Sequence, residues 1–393
     1  MHDQLKQVFG LVKSTLNNEV FNEEIQNPEV YKIARENGFS GMVFKAIQKA
    51  KIDPSLYLEF QRDHYQYKER DILQTIAMEE LHQIFNDNQI KHIFLKGAFL
   101  KTIYPESYMR SMGDIDILVE YDQMKSIHSL LPNKGFLLHS IGPTHDVFVK
   151  DRKIDIEIHP AIDSHFDEIV LHQFQDIWHK VELHDQYQYR FTSEYQILYL
   201  LSHLVKHLKS SGIGLRQVLD IGLLFHQIEA KIDLEKLLAL LEATKLTKFF
   251  KTILWLNHEW FDYNYQYQYN EADFDPDFLI EVTQFMSSSG IHGKGNSFNR
   301  TLPALTKHSL GKKGVKGSKL RYLFHVGFPK LEDMRGTRKY LIKYPILLPY
   351  AWVSRWLYLI FRKGKRTKTK LKNMQVDHLI IEKQALLYKK IGL

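Results

Sequence analysis

The fold turns on Met109-Arg110-Ser111-Met112-Gly113-Asp114-Ile115-Asp116-Ile117-Leu118-Val119. From Asp114 onward acid and apolar residues alternate with the period of a β-strand, so Asp114 and Asp116 share one face while Ile115 and Ile117 share the other. Two carboxylates at this spacing repel unless something positive lies between them, and their oxygens suit a hard cation such as Mg²⁺. Two solvated acids on an exposed strand are the plain alternative. The device recurs about forty residues on, where Lys153-Ile154-Asp155-Ile156-Glu157-Ile158-His159 sets Asp155, Glu157 and His159 against three isoleucines. If the two strands are neighbours, three or four carboxylates converge on one spot, which is the chemistry of a metal site.

Working outward, Ile90 to Leu95 reads as a short strand, Lys96-Gly97 as a turn and Ala98 to Ile103 as a helix. Glycine permits close approach of backbone or ligand, and free N–H groups at a helix start bind phosphate oxygens. Lys96 and Arg110 add positive charge to that turn. Asp122 to Leu131 has helical spacing, and Gly135 to Ser140 and Asp146 to Lys150 read as further strands. The flanks are helical. Val20 to Gln26, Pro28 to Asn37 and Pro54 to Asn86 precede the strands. Tyr195 to Leu208, opened by a Ser193/Gln196 capping box, then Leu215 to Ala230, Leu234 to Leu241 and Lys248 to Phe261 follow them. Tyr263 to Asn270 reads as a polar connection, and Ser287 to Ser318, rich in Gly, Ser and Lys, as an exposed loop. The expected fold is therefore α+β: a helical N-terminal region (1–89), a small mixed-sheet unit (90–190), a second helical region (191–286) and a C-terminal segment (287–393).

Phe94-Leu95-Lys96-Gly97, Tyr104-Pro105, Met109 to Val119 and Ile156-Glu157-Ile158-His159 together resemble the uncharacterised bacterial nucleotidyltransferases of the polymerase-beta-type superfamily. The likeness runs from about residue 1 to 260. It implies a nucleotidyltransferase palm at 90–190, with Asp114, Asp116 and Glu157 as catalytic and metal-binding residues and Asp155 as the reserve ligand. It implies Mg²⁺ or Mn²⁺, a nucleoside triphosphate as substrate and an acceptor hydroxyl, in polysaccharide or natural-product biosynthesis. Lys96 and Gly97 at the turn, with Arg110, are the implied nucleotide-binding residues, but the superfamily's usual Gly-Ser or Gly-Gly is Lys-Gly here. The resemblance also draws in Lys206 and Arg216, which it sets against the triphosphate, with Asp220 either orienting Arg216 or forming a purely structural ion pair. His203 and His207 stand one helical turn apart, yet no glutamate follows His203, so packing rather than zinc is expected. A non-catalytic nucleotide-binding or scaffolding role is the competing reading.

Composition narrows the rest. The chain has 393 residues, enough for two or three packed units, with 44% hydrophobic residues to fill them. It has no cysteine, which excludes disulfide frameworks, Cys-ligated metals and thiol nucleophiles, and fits a cytoplasmic protein. Met1 to Glu19 scatters charges where a secretory signal needs an apolar run. The net charge of +7 conceals an asymmetry: Lys307 to Lys372 holds 19 basic residues against Glu332 and Asp333, a net of +17 that leaves −10 elsewhere. Such a segment points to a polyanionic partner. Tyr340 to Phe361 is aromatic but broken by two prolines and two charges, against a clean membrane span. With Arg362 to Lys372 it reads instead as peripheral contact with an anionic membrane through 340–372, at the inner face. No nucleic-acid-binding module, P-loop or serine elbow is present in the sequence.

Overall fold

The computed structural model describes residues 3–268, 275–293, 295, 299, 301–309, 317–331, 334, 338, 340–361 and 376–393. Helices α1 (Asp3–Leu16), α2 (Pro28–Glu36), α3 (Phe44–Ile47) and α4 (Pro54–Asp87) precede the sheet. Proline at the first helical position and a capping residue before it start both α2 and α4. The Asn27 side chain accepts from Glu29 N–H, and Asp53 accepts from Ser55 and Leu56 N–H. With 34 residues, α4 is about 50 Å long, enough to underlie the whole sheet. Val20 to Gln26 is not a helix. Asn18 takes a left-handed turn and Asn27 is already a cap, so the interval runs extended, with Ile25 bridged to Ile52 and Phe21 and Ile25 buried. Their four-residue spacing is met by a bent strand-like path instead.

Strand β1 (His92–Phe94) leads into α5 (Lys96–Leu100), a 3₁₀ turn (Lys101–Ile103), β2 (Asp114–Val119) and α6 (Met124–Leu130). Next come β3 (Phe136–Ile141), β4 (Asp146–Lys150), β5 (Ile154–His159), α7 (Glu168–Gln173), β6 (Val181–Asp185) and β7 (Gln188–Phe191). Among the described residues the sheet has seven strands in the order β3-β4-β5-β2-β1-β7-β6. It is mixed: β2 runs parallel to β5 and β1 to β7, and the other pairs are antiparallel. The β6–β7 hairpin has no counterpart in the sequence reading; it closes the edge that β1 would otherwise expose.

Period-two patterning divides the sheet as expected. Ile115, Ile117, Ile154, Ile156 and Ile158 are buried with Phe136 and Phe148 against Ala77, Leu81 and Phe85 of α4 and Ile127 of α6. The carboxylate face is turned the other way.

Helices α8 (Ser193–Ser210), α9 (Leu215–Ile228), α10 (Leu234–Ala243), α11 (Thr247–Phe261) and α12 (Pro276–Ser289) share a larger core with α1 to α3, β1 and the loop before β2. The Ser193/Gln196 capping box does not form: Thr192 is the cap residue, and its hydroxyl donates to Glu194. Buried Glu194 then accepts from Asp233 N–H and Lys236, fastening α8 to α10. The expected loop at Ser287 to Ser318 is instead partly folded, because α12 runs to Ser289 and α13 (Leu302–Lys307) buries Leu305. Then follow α14 (Ser318–Gly327), α15 (Tyr340–Lys343), α16 (Leu348–Phe361) and α17 (His378–Lys390). The polybasic run Arg362 to Lys372 lies outside the described residues, as do Glu332 and Asp333.

Candidate active site

Parallel pairing of β2 with β5 sets Asp114 opposite Asp155, Asp116 opposite Glu157 and Leu118 opposite His159. Since residues at even spacing share a face, the pairing gathers these polar side chains on one side of two central strands. Asp114, Asp116 and Glu157 each present an oxygen within 4.8 Å of the other two. Asp155 lies on the same face but is exposed and falls outside that group.

The electrostatics are those of crowded negative charge. Burial, then the charges of Asp116 and Glu157, push the Asp114 carboxyl up to about 6. Burial works against the Asp116 carboxylate too, but Lys96 and His159 outweigh it and hold the group well below the usual range. Its Oδ1 accepts from Lys96 Nζ at 2.5 Å and from His159 Nε2 at 2.9 Å. His159 is raised in turn, burial being outweighed by its bonds to Asp116 and Glu157. Three carboxylates presenting oxygens to one another, with Asp114 raised by its neighbours, form a donor set that fits a hard divalent cation.

Lys96 reaches Asp116 from a left-handed backbone, φ +45°, which few residues other than glycine adopt. The strain is held by the bond from Leu95 N–H to the Asp116 carbonyl, 2.9 Å. Gly97 answers a packing need: a Cβ there would stand 2.8 Å from Met112 Cβ. The loop carrying Met112 is clamped from α4, where Arg70 Nε and Gln74 Nε2 donate to the Met112 carbonyl at 2.9 and 3.2 Å.

The acidic face opens into a cleft of about 1450 Å³ whose walls come from α2, α4, α8 and α9 as well as the sheet. Arg110, Lys206 and Arg216 all line it. Their partners differ from expectation. Asp220 does not orient Arg216; it accepts from Arg110 Nε at 2.7 and 2.9 Å and from the Tyr104 hydroxyl at 2.8 Å. Arg216 instead donates to Ser111 Oγ at 2.6 Å, and its Nε has no partner among the described residues. Burial and the neighbouring Arg110 lower it to about 10. The Lys206 ammonium is held by Asp163. His203 and His207 meet at 2.9 Å, and neither belongs to a three-ligand group among the described residues.

One nearby residue escaped the sequence reading. His145, at the end of the β3–β4 turn, stands 3.4 Å from Glu157, and its ring is tilted 49° to that of His159 with the centroids 5.0 Å apart. Its signal was available only through strand register, because no motif contains it.

A mixed sheet with carboxylates on adjacent parallel strands, entered by a strand–turn–helix and walled by basic side chains, defines a nucleotidyltransferase-type palm. The chain belongs to a family of uncharacterised nucleotidyltransferases, whose model matches residues 23–262, from just before α2 to the end of α11. Nucleotidyl transfer is the general activity that membership carries. Neither a curated protein nor a solved structure matches the chain.

Proposed function

We propose that this chain moves a nucleoside monophosphate from a nucleoside triphosphate to an acceptor hydroxyl, with Mg²⁺ or Mn²⁺ as cofactor. The observation that carries the reading is the convergence of Asp114, Asp116 and Glu157 within 4.8 Å at the foot of a basic cleft. Asp114, Asp116 and Glu157 would hold the cation. When bound, the ion neutralises triphosphate charge and makes the acceptor hydroxyl more acidic. Lys96 and Arg216 meet the phosphates, Gly97 and Arg110 shape the turn and wall around them, and Lys206 adds charge from α8. The acceptor oxygen bonds to the α-phosphorus as the bond from that phosphorus to the α,β-bridging oxygen breaks; pyrophosphate leaves and the hydroxyl proton passes to Glu157. Positioning and charge neutralisation supply the catalysis, with no covalent enzyme intermediate.

Incubation of the protein with each labelled nucleoside triphosphate and a cell extract tests this. Asp114→Asn and Asp116→Asn are expected to lower labelling about a thousandfold, the equivalent of roughly 4 kcal/mol of lost charge stabilisation. Wild-type labelling by folded variants would sink the assignment. Tight binding of the magnesium–nucleotide complex without turnover on any acceptor would favour the non-catalytic reading.

We further propose that the C-terminal segment rests on an anionic membrane at its inner face. Leu320, Phe324, Ile346, Tyr350 and Phe361 are all more than 60% exposed on or beside α14 and α16, next in sequence to Arg362 to Lys372. Apolar exposure on this scale beside a basic run is what an interfacial surface requires.

A further inference from the structure

We propose that His145, Glu157 and His159 form a binding site for a divalent transition-metal ion, adjoining the carboxylate group and sharing Glu157 with it. Each of the three offers one ligand atom, and these atoms all lie within 4.8 Å of one another. Nε2 of His145 faces Glu157 Oε1 at 3.4 Å and Nε2 of His159 faces Glu157 Oε2 at 3.5 Å, so both imidazoles turn the same nitrogen toward one carboxylate. His159 Nε2 also bonds Asp116 Oδ1 at 2.9 Å, and an ion taking that nitrogen would displace the proton it shares with Asp116.

The fold builds this arrangement deliberately. Strands β4 and β5 pair antiparallel from Lys150 with Ile154 out to Asp146 with Ile158, and the next step sets His145 against His159. The turn before β4 is locked: Gly142 N–H donates to the His145 carbonyl at 3.0 Å and to Asp146 Oδ1 at 3.1 Å. Any Cβ on Gly142 would stand 2.4 Å from that carbonyl oxygen, so the turn demands glycine. Asp146 is itself held by His128 Nε2 at 2.7 Å. Thr144 Oγ1 lies 3.1 Å from His145 Nδ1 and can accept a hydrogen bond from Nδ1–H, the tautomer that leaves the Nε2 lone pair directed at the site.

Ligand chemistry decides the kind of ion. Magnesium takes oxygen ligands in strict octahedral geometry, whereas imidazole favours the borderline transition metals, and two imidazoles with one carboxylate are a recognised set for them. The His203–His207 pair makes the contrast: it belongs to no such group among the described residues. The inference does not depend on nucleotidyl transfer, because ion binding is measured with neither nucleotide nor acceptor present.

The experiment is titration of the chelator-stripped full chain with Co²⁺ and with Mg²⁺, followed by calorimetry and, for cobalt, visible absorption. Any nitrogen–oxygen site binds Co²⁺ more tightly than Mg²⁺, so raw affinity is not diagnostic; the effect of removing one imidazole is. His145→Ala should weaken Co²⁺ binding about tenfold or more and alter its absorption bands, while Mg²⁺ affinity changes by less than about twofold. Glu157→Gln should weaken both ions. His145 is partly exposed on a hairpin turn, and His145→Gln, which retains hydrogen bonding, serves if the alanine variant unfolds. Unchanged Co²⁺ affinity in a folded His145 variant, equal loss for both ions, or Co²⁺ binding that survives Glu157→Gln would each overturn the proposal.

Discussion

Arg110 and Arg216 both reach Ser111, but only Arg110 is bonded to a carboxylate, that of Asp220. Their energetics are opposed. Arg110 and Asp220 are a buried, well-aligned ion pair, so Arg110→Met strands a buried anion with only the Tyr104 hydroxyl and should cost about 3–5 kcal/mol. Arg216 deserts no carboxylate when removed, and its lowered pKa reflects how poorly the protein solvates it. Arg216→Met should therefore leave stability within about 1 kcal/mol of wild type or raise it. The same change should weaken nucleotide binding about tenfold to a hundredfold, the loss of one charge-assisted contact. Denaturant titration beside nucleotide calorimetry separates the two arginines; equal destabilisation by both would refute the contrast. Sequence could not supply this assignment. Asp220 lies one helical turn from Arg216 on α9, the natural local pairing, whereas its true partner is 110 residues distant.

At the scale of elements, the carboxylate strands were legible because burial on one face imposes period two, and the register of β2 on β5 then does the rest. The β6–β7 hairpin was not legible, since its residues are half-exposed and carry no continuous apolar face. That hairpin has a consequence for acid stability. By pairing with β1 it buries His92 fully, between Phe85 and Phe94, with Nδ1 bonded to the Ile90 carbonyl at 2.9 Å and Nε2 3.2 Å from His82. Burial lowers His92 from 6.5 to about 4. A depressed histidine binds its proton more readily in the unfolded chain, so its contribution is complete above pH 6.5 and is lost as pH falls toward 4. The loss amounts to about 3 kcal/mol over that window. Denaturation midpoints measured between pH 7 and 4 should fall accordingly, and His92→Phe should flatten the slope. An unchanged slope in that variant would show that other groups carry the acid sensitivity.

For the whole molecule, charge asymmetry was the clearest sequence signal, and the fold changes its meaning. The +17 run is not a free tail, because the chain returns after it. In α17 and just beyond, Leu387, Tyr388 and Ile391 are buried in the main core, and the Tyr388 hydroxyl donates to the Leu208 carbonyl at 2.6 Å. The basic segment is thus anchored at both ends to the enzyme body. Within it, Trp352 and Trp356 are half-buried rather than exposed. Their indole N–H groups donate to the Pro329 and Gly327 carbonyls at 2.9 and 2.7 Å, and both rings meet Phe328 edge-on. They hold α16 against α14, leaving Phe324 and Phe361 outward. No helix among the described residues is long and apolar enough to cross a membrane. The expected behaviour is flotation with phosphatidylglycerol vesicles at low salt, loss of flotation at high salt as the lysines and arginines are screened, and no flotation with phosphatidylcholine alone. Phe324→Ser and Phe361→Ser should each lower vesicle affinity about fivefold to tenfold, the effect of withdrawing roughly 1 kcal/mol of apolar burial. Because the tryptophans act on packing and the phenylalanines on lipid, Trp356→Phe should lower the melting temperature and the outward phenylalanine changes should not. Absence of flotation with anionic vesicles at low salt would leave the segment as a surface for an acidic partner rather than for lipid.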